Sequence, residues 1–162
     1  MTTTVIRADY ADAEHGRQIV ELLDIYACDP MGGGDPLSDA TRDALLPGLQ
    51  AQPNAFSLIA YVDGIPAGLA NCFFGFSTFA AKPLVNIHDV VVDPAFRGQG
   101  VAKALFEEIE AVAKNNDACK VTLEVLSGNA PAKGLYAKLG YGDYALDPEA
   151  GTALFWQKRL AA

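Results

Sequence analysis

The chain has 162 residues, 51% of them hydrophobic, which suits one domain, residues 1–162, with a sizeable core. Its formal net charge of −8 argues against nucleic acid or an anionic membrane as the main partner. No run of about 18 apolar residues predicts a membrane span, and Met1-Thr2-Thr3-Thr4-Val5 lacks the basic-then-apolar pattern of a signal peptide, so a cytoplasmic location is expected.

Thr4–Arg7 reads as a short first strand. Asp9 or Asp12 can open a helix to about Cys28, with Ile19, Leu22, Leu23 and Tyr26 as its apolar stripe. Asp29-Pro30-Met31-Gly32-Gly33-Gly34-Asp35-Pro36 breaks the pattern as a loop. Ser38 can cap a second helix, which Pro47-Gly48 is expected to end or kink. From Ala55 the alternation changes to that of a strand, Asp63-Gly64 marks a hairpin, and a long return strand runs from Ile65 to Phe76. After Lys82-Pro83 a central strand runs from about Leu84 to Asp93. A helix from Gly100 to about Asn115 follows, then a strand from Lys120 to Leu126. Asn129 is placed to cap a further helix that Gly140 closes. Two terminal strands, roughly Tyr141–Leu146 and Thr152–Arg159, flank a loop with the Pro148 and Gly151 of a hairpin connection. This order predicts an α/β (α+β) fold: a central mixed, mostly antiparallel sheet of about seven strands with helices on both faces. The crossover helix should join parallel neighbours.

Cys28, Cys72 and Cys119 lie far apart without metal-ligand spacing. They are expected to be reduced and mostly buried, and no metal is expected. His15 falls on an exposed helix and is assigned no role.

The chemistry concentrates between Val90 and Leu105. Val90-Val91-Val92 suits a buried strand, Pro94 stops the ladder, and Val101, Leu105, Ile109 and Val112 switch to helical spacing. Gly98 and Gly100 sit at the junction, where the first helical amides lack internal partners and the helix dipole favours an anion. Glycines let a diphosphate approach that backbone. The segment is no Walker loop, lacking Gly-Lys-Ser/Thr, and no dinucleotide fingerprint, since Val101-Ala102-Lys103 follows Gly98-Gln99-Gly100.

Arg97-x-x-Gly100-x-Ala102, after Val92-x-Pro94, instead resembles the acyl-CoA signature Arg/Gln-x-x-Gly-x-Gly/Ala of the GNAT superfamily of N-acetyltransferases. The resemblance runs from about Val5 to Arg159 and includes a second block, Asn129 through Tyr136 to Gly140-Tyr141, similar to the family's Asn-x₆-Tyr-x-x-x-Gly-Phe/Tyr. It implies a GNAT-like fold and acetyl-CoA as acyl donor, with Asn129 on the pantetheine arm and Tyr136 near the thioester sulfur. A third, weaker similarity covers Phe73–Phe79 and Asn86–Asp89, which are spaced as in diamine and polyamine acetyltransferases. Those usually carry Glu-Asp where this chain has His88-Asp89, a departure that weighs against a polyamine. His88 also resembles one catalytic histidine of arylalkylamine acetyltransferases.

Acetyl transfer needs a held thioester, a deprotonated amine, a donor for the oxyanion and an exit for the thiolate. The amides of Gly98, Gln99, Gly100, Val101, Ala102 and Lys103 can hold a pyrophosphate, with Arg97 adding charge. The backbone of Val90, Val91 and Val92 can pair with pantetheine as a strand would, and the Val91 amide is a candidate oxyanion donor. Tyr136 can protonate the thiolate. His88 is the first candidate base, with Asp89 and Glu124 as rivals. In a regular strand His88 and Asp89 point to opposite faces, so both serve one substrate only if a bulge intervenes. The expected activity is direct acetyl transfer to the primary amine of a small molecule. The alternatives are a non-catalytic acyl-CoA-binding module of the same fold and a protein lysine or N-terminal acetyltransferase. The resemblance also allows a homodimer.

Overall fold

The helix caps follow from residue type. In the computed structural model, which describes residues 1–160, Asp12 accepts from the Glu14 and His15 amides and opens α1 (Ala13–Cys28). The Ser38 hydroxyl accepts from the Thr41 amide and opens α2 (Asp39–Gln50). Pro47 costs α2 one amide donor, yet the helix continues to Gln50 because Leu49 in its last turn is buried in the core.

The strands are β1 (Thr3–Arg7), β2 (Ala55–Val62), β3 (Ile65–Ser77), β4 (Lys82–Val92) and β5 (Val121–Leu123). They form a five-stranded sheet in the order β1-β2-β3-β4-β5. Pairing is antiparallel except for the parallel pair β4–β5, joined by the crossover helix α3 (Val101–Asn115) as the connection rule requires. Asp63 and Gly64 turn the β2–β3 hairpin at φ 48° and 81°.

The sheet separates two apolar layers. Ile19 and Leu22 of α1 and Leu49 of α2 pack with Ile59, Leu69 and Val91 on one face. On the other face α3 buries Val101, Leu105, Phe106 and Ile109. Burying each such side chain contributes about 1.5–3 kcal/mol relative to exposure. Close approach of α3 depends on Gly68, where a Cβ would sit 2.8 Å from Val101 Cγ1 and 3.1 Å from the Val91 carbonyl oxygen.

The chain divides into two compact units, Met1–Leu123 and the part that begins at Glu124. Within the second unit, Asn129 accepts from the Ala132 amide and opens α4 (Ala130–Lys138), and Gly140 follows at φ 91°.

The described sheet has five strands, not about seven. Between 141 and 160 the predicted hairpin is reduced to one antiparallel bridge, Ala145↔Thr152, across a 3₁₀ turn at Pro148–Ala150. Alternating apolar residues suggest strands there, but Leu154, Phe155 and Trp156 are exposed and gain no burial from a ladder. β5 is also shorter than the expected Lys120–Leu126. It pairs with β4 only through Val85–Ile87, and the next residue of β4 is irregular. All three cysteines are free, but only Cys72 is buried; Cys28 and Cys119 are exposed. Burial, with Asp89 adding to it, pushes the Cys72 thiol up to about 12.

Candidate active site

The irregularity in β4 is a bulge. Asn71 on β3 faces Asp89, but its neighbour Cys72 faces Ile87, which leaves His88 with no partner opposite. His88 and Asp89 therefore share a face and line the same cavity, of about 420 Å³. Leu23, Tyr26 and Ala27 of α1 form one wall, Leu45 and Leu49 of α2 another, and Asn71 and Phe73 of β3 the floor. His88 stands edge-on to the Phe73 ring at 5.7 Å between centroids. Asp24 secures the α1–α2 side: one carboxylate oxygen accepts from the Leu37 amide at 2.8 Å and the other pairs with Arg42 at 3.1 Å.

Behind Asp89 a polar row crosses the sheet. Ser57, Asn71 and Asp89 are direct cross-strand neighbours on β2, β3 and β4. Asn71 Nδ2 donates to Asp89 Oδ2 at 3.1 Å, and Ser57 Oγ donates to Asn71 Oδ1 at 2.6 Å. Since the Ser57 proton is committed to Asn71, the Tyr10 hydroxyl, 2.8 Å from Ser57 Oγ, is the donor in that pair. The chain of donors thus runs one way and ends on a carboxylate acceptor. Ser57 and Asn71 are buried, so each needs its partner. Burial raises the Tyr10 phenol above its ordinary value. At the cavity wall, burial first and then Asp89 and Asp29 raise the Tyr26 phenol and keep it protonated.

Beyond the bulge, β4 pairs with β3 through Val90, Val91 and Val92, while β5 has already ended opposite Ile87. The far edge of β4 from His88 to Val92 therefore has no strand beside it among the described residues. The Asp93 amide donates to the Ala67 carbonyl at 2.9 Å, so by ladder alternation the Val91 amide also turns toward β3. The amides that face the open edge are those of Val90 and Val92, while that of Val91 faces β3.

After Val92 the chain makes a 3₁₀ turn, Pro94–Phe96, capped by Asp93, and enters α3 through Gly98 at φ 77° and Gly100 at φ 81°. A Cβ on either glycine would meet nothing within 4 Å. The positive φ calls for glycine at Gly100, and the open space leaves room for a ligand. Gly100 is the N-cap, and no side chain caps the helix among the described residues. The amides of Val101, Ala102 and Lys103 can thus receive an anion. The Val101 side chain is buried and contributes packing, while Lys103 pairs with Glu107 at 3.6 Å. Arg97 is exposed and pairs with Asp29 at 3.4 Å, and Gln99 Nε2 donates to the Ala95 carbonyl at 3.3 Å.

Glu124, Asn129 and Tyr136 lie in the second unit. The first unit brings together His88, Asp89, Val90 to Val92 and the Arg97–Lys103 turn. The sequence places Tyr26 in an apolar helix stripe and Phe73 in a segment of family similarity but neither at a site, and Asn71 and the Tyr10–Ser57 support escaped the sequence reading. The available signal was a polar residue inside each of two apolar strands, Ser57 between Phe56 and Leu58, and Asn71 between Ala70 and Cys72. His15 accepts the Asp9 amide on Nδ1 at 3.1 Å, remote from the cavity lining. Among the described residues no His, Cys, Asp or Glu group could hold a metal ion, and no helix is long and apolar enough to cross a membrane.

Residues 19–141 match the profile of the Acetyltransferase (GNAT) family. The chain is 33% identical over 147 residues to the streptothricin acetyltransferase of Streptomyces lavendulae, covering 90% of this chain and 72% of that protein. It is 31% identical over 100 residues to a Bacillus subtilis (strain 168) protein whose name assigns it as a ribosomal protein bS18-alanine N-acetyltransferase, covering 62% of each chain. The match to the Caenorhabditis elegans thialysine N-epsilon-acetyltransferase, 28% identical over 83 residues, covers 51% of each. The matched segments thus span about half to two thirds of these last two relatives. Among solved structures, the aminoglycoside N-acetyltransferase AAC(6′)-Iy in complex with CoA shares the fold at a TM-score of 0.74 and 19% identity, over 98% of this chain and 96% of that one.

Proposed function

Because the chain belongs to the acetyltransferase (GNAT) family, we propose that it is an N-acetyltransferase that moves acetyl from acetyl-CoA directly to the primary amine of a small molecule. The observation that carries this reading is the bulge. It sets His88 and Asp89 side by side on a cavity, next to a β4 edge that leads to the uncapped amides of α3.

Acetyl-CoA supplies the thioester. The amides of Gly98 to Lys103, with Arg97, take its pyrophosphate, and the open edge of Val90 to Val92 takes the pantetheine arm as an added strand. The acceptor arrives mostly as ammonium and must lose a proton before its nitrogen can attack. His88 is the base, directly or through water, while Asp89, held by Asn71, seats the positive charge. The C–N bond forms as the carbonyl becomes an oxyanion, which a Val90 or Val92 amide receives. As the oxyanion collapses to the amide carbonyl the C–S bond breaks; Tyr136 gives its proton to the departing thiolate, and the nitrogen's remaining extra proton leaves through water and restores the phenol. The roles of Tyr136 and of Asn129 on pantetheine come from the family resemblance. Glu124 is a reserve base.

The test is CoA-thiol release from acetyl-CoA with polyamines, arylalkylamines, amino acids, aminoglycosides and peptides. Release with a small amine is expected. Release with peptides alone would make the protein a protein acetyltransferase, and binding of acetyl-CoA without release in any arm would make it a binding module. In Tyr136→Phe, kcat should fall about 10²–10⁴-fold with acetyl-CoA affinity nearly constant. A wild-type kcat would return Tyr136 to a packing role.

A further inference from the structure

We infer that the acceptor is a monoamine with an apolar body: one ammonium group seated at Asp89 and His88, and a hydrocarbon or aryl portion lying across Leu45, Leu49 and Phe73. This deepens the transferase reading and rests on it for the reaction, though not for the binding.

The cavity contains one carboxylate, Asp89, and one imidazole, His88; Asn71 and the Tyr26 phenol are its other polar side chains. The remaining wall is hydrocarbon, glycine or the Phe73 ring. A second space, about 600 Å³, opens along α2 and shares Leu45, Leu49 and Phe73 with the first. Its further lining includes Ala40, Ala44, Gly48 and Gln52, with no ionisable side chain. The two spaces therefore border the same three apolar side chains, and among the described residues Asp89 is the only carboxylate lining either.

On the flanking elements, Asp24 is held by Arg42 and the Leu37 amide and Asp29 accepts from the Met31 amide, while Asp39 and Asp43 are exposed on α2 and line neither space. In the first space a second ammonium would find no further carboxylate in the lining, and along the more open α2 groove it would keep its water and gain nothing from Leu45, Leu49 and Phe73. A monoamine with an apolar body has no second charge to place and gains from covering Leu45, Leu49 and Phe73.

The experiment compares n-hexylamine and 2-phenylethylamine with putrescine, spermidine and kanamycin on the full chain. Turnover is read by CoA release, and binding by titration calorimetry in the presence of CoA. The monoamines are expected to exceed the polycations in kcat/KM and in affinity by at least about tenfold, the scale on which an unmatched charge discriminates between ligands. Ala44→Glu, at an exposed helix position that tolerates it, adds a carboxylate to the groove wall and should narrow or reverse the preference for hexylamine over putrescine. Monoamines that bind while none of the five amines releases CoA-thiol would overturn the transferase reading and keep the ligand class. Turnover that favours spermidine or kanamycin would overturn the class and keep the transferase. Failure of both monoamines to bind, or an unchanged preference in Ala44→Glu, would also overturn the class.

Discussion

The two ends of β4 are built from different materials. At the bulge, the groups that line the cavity are side chains, His88 and Asp89, and Asp89 is braced by Asn71 of β3 and through it by Ser57 of β2. At the downstream end, the groups are backbone amides, exposed because two glycines carry nothing and no side chain caps α3. Side chains can be exchanged one at a time, so the bulge end can be tuned to an acceptor. Amides are the same whatever the residue, so the glycine end suits a ligand group that does not vary, such as a pyrophosphate. This contrast predicts that substitutions at the two ends act on different quantities.

The largest effect is expected at the bulge. His88→Gln keeps hydrogen-bonding capacity but cannot take up a proton. Wild-type kcat/KM for the amine should rise with pH through neutrality, and the variant should lose that limb along with about 10²–10⁴-fold in rate. Acetyl-CoA affinity should not change. A variant with the wild-type limb and rate would shift the base to Asp89, Glu124 or a water chain.

The next effect lies at the other end and is one of binding. Acetyl-CoA at 100 times its Kd should stabilise the wild type by about 2.7 kcal/mol. Gly100→Val should lose this stabilisation, since a side chain would fill the open space at φ 81° and strain the turn. Thermal melts with and without acetyl-CoA measure it, and a full ligand-induced shift in the variant would refute the pyrophosphate site.

A third, smaller effect separates bracing from chemistry. Asn71→Leu removes the link between Ser57 and Asp89 and leaves the buried Ser57 hydroxyl without its acceptor. Urea denaturation should report a loss of about 1–3 kcal/mol. Acetyl-CoA stabilisation should persist, because nothing at the glycine end depends on Asn71. The smallest test is a thiol count. At pH 8, a disulfide reagent should titrate exposed Cys28 and Cys119 in the native protein but spare Cys72, whose thiol is buried and pushed up to about 12. Rapid reaction of Cys72 would mean that the sheet beside the bulge opens readily.

The same contrast explains what could be read in advance. The glycine end was legible because its parts are contiguous: a strand, Pro94, Arg97-x-x-Gly100-x-Ala102 and a helix. Helix caps at Ser38 and Asn129 were legible for the same local reason. The cavity was only half legible. His88 and Asp89 could be named, but whether they cooperate depends on how β4 registers against β3, and Asn71, Ser57 and Tyr10 join them only through pairing across three strands. The terminal strands were overcalled because alternation signals a strand's faces and says nothing of what pairs with it.

The bulge also carries a matter of parity. Below it, Val85 and Ile87 pair opposite Phe74 and Cys72 on the α3 side of the sheet; above it, Val91 pairs opposite Leu69 on the α1 side. Odd-numbered residues thus change sides at His88. Were β4 regular through His88, with no bulge, its two halves would fall into one phase, and either Val85 and Ile87 or Val91 would have to leave its core. The bulge takes up the odd residue, so each half keeps its own face. Deletion of His88 would let Ile87 and Asp89 follow one another opposite Cys72 and Asn71 with both hydrophobic layers undisturbed. What would be lost is the second side chain beside Asp89, so the extra residue adds to the cavity and not to the packing.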